Sequence, residues 1–592
     1  MSWAKTFALT AQVAARHLRT EPARTPLLAL RILPKPVRTV VRGILLRGGP
    51  VPSAYGLWDL GRHDEALHKI EKAAAGARPR RIRRLAAFAV AVERPETAGK
   101  LIAALPPDSP GRLHLVARLA AKEGRLSDGI AAVAPPLPSG AARTGRPAPA
   151  PVPATRQAAR LHRDLTGRRD ALTWTPPPAA PERSGDAVPG RVLHIVTNAL
   201  PTTNAGYTVR THKIATAQRE AGLDPHVVTR LGFPVAQGAL DPRTRATVDG
   251  VPYHRLVPWR LPPPASLAFL EANVKAASHL VERLRPAVLH AASNHVNAQI
   301  ALALRAEHGI PVVYEVRGFL EESWLSRDPR RTTDLEFYRL SRDLETACMR
   351  AADLVVTLGG TMRDEIAGRG VPADRIVVIP NAVDEEFLKP LPDGGPLRAE
   401  LGIGPGEKVV GTTTSFYGYE GLDTLLEAGA ELRRNGHPVR LLLVGDGPER
   451  PALQQRAADI GLSEAALFPG RVPPEDVRRY HAVLDAFVVP RRDERVCRLV
   501  TPLKPLEAMA GGVPVVASDL PALREIIEPG ATGQITAPNN PGQLAEILKM
   551  LLYSSSLQQT QHAAQEWVRR ERTWRAGTDR LRDAYRSLNI PC

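Results

Sequence analysis

The 592 residues outrun a single domain and suit three or four, and an apolar content of 43% is enough for real cores, whereas 56 prolines must gather somewhere loose. The net charge of +18 suits an anionic partner such as a nucleotide, a phospholipid headgroup or a nucleic acid, without choosing among them. Three widely spaced cysteines, Cys348, Cys497 and Cys592, with no C-x-x-C, exclude a disulfide framework or a zinc ribbon and point to a reducing compartment.

Residues 1–49 read as a basic segment, with nine Lys and Arg against Glu21 alone within the first fifty residues. The apolar run there is short and broken by His17 and several Arg, unlike a signal peptide, and nowhere does an apolar run approach the ~20 residues that span a bilayer. The expectation is a cytoplasmic protein. Trp3, Phe7, Leu27, Leu28 and Leu45 among the cations add the option of a peripheral place at the inner face of an anionic membrane.

Residues 50–135 read as helical and repetitive. "GRHDEALHKIEKA", "ERPETAGKLIAAL" and "GRLSDGIAAVA" begin at Gly61, Glu93 and Gly124, 32 and 31 residues apart. The turn-then-helix pattern resembles tetratricopeptide-type hairpins and equally fits an ordinary helical bundle; either way it is a module for packing or for a protein partner. Residues 136–188, rich in Pro and Ala, read as a linker that lets this module move separately, interrupted by a short helix near 154–166.

At Arg191 strands and helices begin to alternate: "RVLHIVTNALP", "DPHVVTR", "AVLHAAS", "IPVVYEV", "ADLVVTLG" and "RIVVIPN", then from Lys408 "KVVGTTT", "VRLLLVGDG", "ALFPGRV", "AFVVPRR", "VPVVAS" and "GQIT". This is α/β texture: parallel sheets with helices on both faces, in two Rossmann-like domains at 189–385 and 386–555, followed by a helical segment at 556–592. Two such domains hold ligand in the cleft between them, at the carboxyl ends of their strands.

The order of motifs carries the function. "VVIPNAVD" (377–384), "SFYGYEGLDTLLEA" (415–428), "LLLVGDGPERPAL" (441–453), "LFPGRVPPEDVRRYHAVLDAFVVPRR" (467–492) and "TPLKPLEAMAGGVPVVASD" (501–519) follow one another as in a family 4 retaining glycosyltransferase, which this chain resembles over 189–555. The resemblance implies the GT-B fold of two facing Rossmann domains. It also implies transfer of a sugar from a nucleoside diphosphate sugar to a hydroxyl acceptor, free or lipid-linked, with no metal and no cofactor. The product would be a cell-surface glycan, polysaccharide or glycolipid. By the same resemblance Glu507 binds the donor ribose, Lys504 meets the diphosphate, and Thr501 and Leu503 meet the sugar or its phosphate. Gly470 and Val472 hold the base, with the Asp446 turn nearby. A carboxylate suits the ribose because it accepts from two neighbouring hydroxyls at once.

Two positions depart from the family pattern. Leu499 stands where the first Glu of E-x7-E is expected, and Ser415 and Glu420 stand where relatives carry an Arg and a Lys. Arg491, Arg492 and Arg498 are the expected substitutes, because a diphosphate needs a facing cation and Arg offers a bidentate fork. On the acceptor side Gly206 would let backbone approach the donor, Arg210 would reach the cleft, and His290 and His295 are the candidates to touch the reaction, beside Asn294 and Asn297. Ala292 replaces a second His, and Glu315 with Arg317 reads as a buried ion pair. A nucleotide-sugar epimerase on the same fold and a degenerate, non-catalytic scaffold remain as alternatives. No motif that reads nucleic acid is present.

Overall fold

A computed structural model describes residues 3–135, 156–181, 187–553 and 557–588. The first nine helices are α1 (Trp3–Thr20), α2 (Thr25–Ile32), α3 (Lys35–Arg47), α4 (Pro50–Asp59), α5 (His63–Ala74), α6 (Pro79–Ala91), α7 (Pro95–Ala103), α8 (Arg112–Lys122) and α9 (Leu126–Ala132). The last six pair as hairpins, each turned at one of the residues that open the sequence repeats. Gly61, Glu93 and Gly124 have φ of 79°, 58° and 85°. The next amide then bonds back five residues, Arg62 to Leu57 (3.0 Å), Arg94 to Ala89 (3.0 Å) and Arg125 to Ala120 (2.8 Å). This is the left-handed closure that satisfies the last carbonyls of a helix. Ile70, Leu85, Phe88, Leu101 and Leu115 fill the space between the hairpins.

The stretch expected to be a linker holds a 17-residue helix, α10 (Arg156–Leu172), longer than the one expected; residues 136–155 and 182–186 lie outside the described residues. The helical region does not stand apart from the sheets. Leu126 and Val133 at α9, with Leu165 and Leu172 of α10, join the main apolar core of the first sheet domain. Leu9 of α1 sinks among Leu231, Val235, Val257 and Leu261 of that domain, with Val13 beside them. A Cβ at Gly124 would lie 2.7 Å from the Trp324 ring, and one at Gly61 would lie 2.9 Å from Pro451 of the second domain. The helices thus rest on both domains, which corrects the expectation of a separately moving module.

The first sheet is built from β1 (Val188–Val196), β2 (Asp224–Thr229), β3 (Arg245–Val248), β4 (Val251–Arg255), β5 (Pro286–Ala292), β6 (Val312–Val316), β7 (Leu354–Thr357) and β8 (Ile376–Val378) in the order β3-β4-β2-β1-β5-β6-β7-β8. Only the β3–β4 pair is antiparallel, a hairpin turned by Asp249 and Gly250 at φ 47° and 77°. Its D-G turn suits the twist of the flanking strands. The second sheet, all parallel, is β11-β10-β9-β12-β13-β14, from β9 (Lys408–Thr413), β10 (Val439–Val444), β11 (Ala466–Gly470), β12 (Ala486–Val489), β13 (Val515–Ser518) and β14 (Gln534–Thr536). Its four inner strands, β10, β9, β12 and β13, are buried, as apolar runs covered by helices on both faces must be.

The last two helices, Leu557–Glu571 and Trp574–Arg586, leave the second domain and return to the first. Leu581, Ala584 and Tyr585 complete a core there with Val192, Ile214, Val288 and Leu354. The two domains also touch directly. Glu525 of the second accepts from the Gly360 and Thr361 amides of the first at 2.9 and 2.7 Å, and Arg495 bridges to Glu322 and Glu365 at 2.7 Å each.

Candidate active site

The crossing segment 379–384 forms the floor between the domains. Arg210 of α11 (Gly206–Glu220) donates to the carbonyls of Ile379 (2.8 Å) and Pro380 (3.1 Å) and to the Asn381 side chain (3.2 Å). Asn381 in turn donates to the Thr501 carbonyl at 3.0 Å, so one side chain ties the floor to the second domain. Asp384 pairs with Lys213 of α11 at 2.9 Å and accepts from the Trp574 indole at 3.1 Å.

Above this floor the helix Lys504–Ala510 begins with Lys504 itself. Lys504 Nζ lies 2.9 and 3.3 Å from the two Glu507 oxygens. The Lys504 side chain is 41% exposed and that of Glu507 only 8%. Burial pushes the Glu507 carboxyl above its usual range, against the pull of the Lys504 ammonium. Thr501 Oγ1 is buried with no partner among the described residues. Together they present an ammonium, a carboxylate and an unused hydroxyl around the carboxyl ends of the second sheet, a set able to hold a phosphate and a pair of hydroxyls.

Family models match here on both sides of the cleft: "Glycosyl transferase 4-like domain" over residues 205–382 and "Glycosyl transferases group 1" over 407–554, together more than half of the chain. The chain belongs to this glycosyltransferase family. Among its relatives are the D-inositol 3-phosphate glycosyltransferase of Nocardia farcinica, 35% identical over 31% of this chain and 41% of the relative, and a GDP-mannose-dependent phosphatidylinositol monomannoside mannosyltransferase of Mycolicibacterium smegmatis, 33% identical over 31% and 49%. The chain thus spans less than half the length of these two curated relatives. Of the solved structures, sucrose-phosphate synthase of Thermosynechococcus elongatus aligns with a TM-score of 0.56 at 20% identity, covering 67% of this chain and 99% of that one. Anabaena HepE in complex with UDP and glucose aligns at 0.53 and 19%, covering 67% and 100%. The fold of the glycosyltransferase is GT-B, as the sequence led one to expect.

Several residues expected at the glycosyltransferase site are placed otherwise. Arg491 is buried in a two-pronged pair with Glu420 (3.0 and 3.2 Å) and donates to the Val500 carbonyl (3.0 Å). Although burial opposes its charge, Glu420 holds its pKa well above the ordinary value. Arg492 pairs with Asp423 at 2.6 Å, and the exposed Arg498 grips Asp493. Each of the three arginines thus has a carboxylate partner, as Lys504 has in Glu507. Leu499, in the place of the first Glu, packs into the core of the first domain, with Val500 beside Gly318, so that position joins the domains. Gly470 (φ 94°) ends β11, its carbonyl accepting from Gly445 at 2.9 Å, and Val472 is half-buried against the second core.

On the first domain His290 is fully buried, sharing bonds with the Tyr585 hydroxyl (2.7 Å) and Glu315 (3.3 Å). Arg210 is equally enclosed and donates to Glu315 at 2.8 Å. Burial works against the Glu315 carboxylate, yet Arg317 and Arg210 hold its pKa well below the usual range. These groups support the floor and do not present themselves to a substrate. His295 is buried beside Glu345, its amide donating at 3.1 Å. Gly206, by contrast, has nothing within 4 Å of where a Cβ would stand, so the first turn of α11 leaves open room. Tyr585, Glu345 and Lys213 escaped the sequence reading because their partners lie on remote elements. Among the described residues no cluster of three or more His, Cys, Asp or Glu could hold a metal.

Proposed function

We propose that the chain is a retaining glycosyltransferase that moves a sugar from a nucleoside diphosphate sugar to a hydroxyl acceptor. The observation that carries this is the Lys504–Glu507 pair at the mouth of the second sheet. Glu507 takes the ribose hydroxyls, and Lys504, released from it, turns to the diphosphate. Leaving-group stabilisation at the diphosphate then dominates. The family relatives are transferases, and this favours transfer over epimerisation. A thermal-shift screen against UDP-, GDP-, ADP- and dTDP-sugars tests the donor, since a ligand at 100 times its dissociation constant adds ~2.7 kcal/mol. Free nucleotide should appear only when an acceptor is added, and chelation should leave the rate unchanged. Nucleotide release without acceptor, or a rate that magnesium restores after chelation, counts against the reading.

A second observation favours a peripheral place on an anionic membrane. α1 turns Leu9 inward and Trp3, Phe7 and Leu18 outward, each of the latter more than half exposed, with the Lys5 ammonium 5.4 Å from the exposed Trp259 ring. Val37, Val40 and Ile44 form a further exposed stripe on α3. Aromatic and aliphatic side chains among cations suit a headgroup region. No helix among the described residues is long and apolar enough to cross a membrane. The double variant Trp3→Ala/Phe7→Ala should sediment less with anionic liposomes, and unchanged sedimentation refutes this placement.

A further inference from the structure

In the first sheet β1 is flanked by β2 on one side and β5 on the other, so the winding reverses between β1 and β5. Open parallel sheets take ligands outside the carboxyl ends of the strands at such a reversal. Arg230 stands there, directly after β2. Its Nε donates to Asn297 Oδ1 at 2.7 Å and its Nη2 to Asn294 Oδ1 at 2.5 Å. Asn297 is itself fixed, donating to the Ala292 carbonyl at 2.6 Å and to Thr197 Oγ1 at 3.3 Å. Both asparagines belong to the start of α13 (His295–His308), whose cap is Asn294.

The buried arginines of this domain each meet a carboxylate, Arg210 meeting Glu315, Arg255 Asp241, Arg305 Asp353 and Arg369 Glu321, whereas Arg230 is half-buried. Arg230 meets two neutral amides and, among the described residues, no acid. Burial lowers its pKa only to about 10, so it is charged at neutral pH. Its Nη1 has no partner among the described residues and is not sealed from solvent. Even a partly desolvated charge is disfavoured without a counter-charge. A pin between the loop after β2 and α13 could be made by an uncharged donor at less cost. The missing partner is therefore an anion that arrives from outside, and the fork of a guanidinium fits phosphate oxygens.

We propose that Arg230, oriented by Asn294 and Asn297, binds a phosphate group of the acceptor, so that the molecule receiving the sugar is a phosphate ester. This rests on the transferase reading above. The phosphate can belong to a soluble phosphomonoester or to a phospholipid headgroup. Inorganic phosphate is titrated calorimetrically into the full chain and into Arg230→Gln and Asn297→Asp, with UDP and GDP titrations on the same samples. Asn297→Asp supplies the missing carboxylate without removing the arginine, and it keeps the test alive if Arg230→Gln does not fold. The wild type should bind phosphate and both variants should bind it about tenfold or more weakly, the scale of a lost charge-assisted bond, with nucleotide affinity unchanged. Equal phosphate affinity in all three, or none in the wild type, overturns the proposal. Absence of nucleotide binding throughout removes the transferase reading instead, and leaves the Arg230 comparison standing as a phosphate site. Arg230-dependent binding of glycerol 3-phosphate identifies a soluble ester; Arg230-dependent sedimentation with phosphatidylcholine vesicles containing phosphatidylglycerol identifies a headgroup. Dependence in neither arm overturns the acceptor assignment.

Discussion

Lys504 and Glu507 illustrate how a side chain can be prepared for a ligand by its own neighbour: the ammonium that partly offsets the cost of burying the carboxylate is also the cation a diphosphate needs. Lys504→Ala and Glu507→Gln should each weaken nucleotide binding by about 1–3 kcal/mol in calorimetry. Because burial raises the Glu507 pKa, donor affinity should fall, as pH drops, at a higher pH than an ordinary glutamate would give, and Glu507→Gln should lack that inflection. The stability effect has the opposite sign. The folded state favours the protonated form, so this contribution is full below the ordinary carboxylate range and is lost as pH rises through the raised value. Arg491 and Glu420 supply a second test at this scale. Removing either one should destabilise the second domain by about 3–5 kcal/mol, whereas Arg491→Met with Glu420→Leu should cost far less in a denaturant melt. The pair also shows why the arginine cluster misled a reading along the chain. Each arginine near β12 is an obvious cation, but the acids that claim two of them, Glu420 and Asp423, lie some seventy residues earlier. Lys504 and Glu507 were legible because both partners sit in one turn of helix. Arg230 was visible at the end of "DPHVVTR", yet its lack of an acid is a property of three strands at once.

The apolar runs placed the parallel strands well, because a strand covered on both faces has to be apolar throughout. The β3–β4 hairpin was passed over although Val251 and its neighbours flank a D-G turn, since one of its strands is half exposed and carries a weaker run. The repeat turns were legible from Gly61, Glu93 and Gly124, and their shared left-handed geometry shows why glycine suits two of the three. Gly124→Ala should lower the thermal midpoint by the equivalent of about 1–2 kcal/mol, from the left-handed backbone alone; the methyl group would also press on the Trp324 ring. Gly99→Ala, in open space within α7, should be neutral or stabilising and serves as the control. What a sequence cannot show is what an amphipathic helix lies against. α1 reads as a basic tail, and only the seat of Leu9 in the first domain reveals that part of its apolar surface is already used.

For the molecule as a whole, the helical region is structural support for the transferase domains. Leu9, Leu126, Leu165 and Leu172 pack on the first domain, so donor binding should depend on residues 1–188. Deleting them exposes a broad apolar face of the first domain, and large apolar patches drive association. The truncated chain should elute as aggregate on size exclusion and lose its nucleotide-dependent thermal shift. A monodisperse product with intact nucleotide binding would show that the contacts are dispensable.

The return of the helix Trp574–Arg586 to the first domain has a consequence for how the protein is made. Val192, Ile214, Val288 and Leu354 are all synthesised long before Leu581 and Tyr585, which cover them. At ~5–20 residues per second, the roughly two hundred residues between β8 and Tyr585 keep a ribosome busy for about 10–40 s. Throughout that interval the nascent first domain carries a bare greasy seam, and His290 lacks its Tyr585 partner. Its maturation therefore waits until Leu581 and Tyr585 have been made.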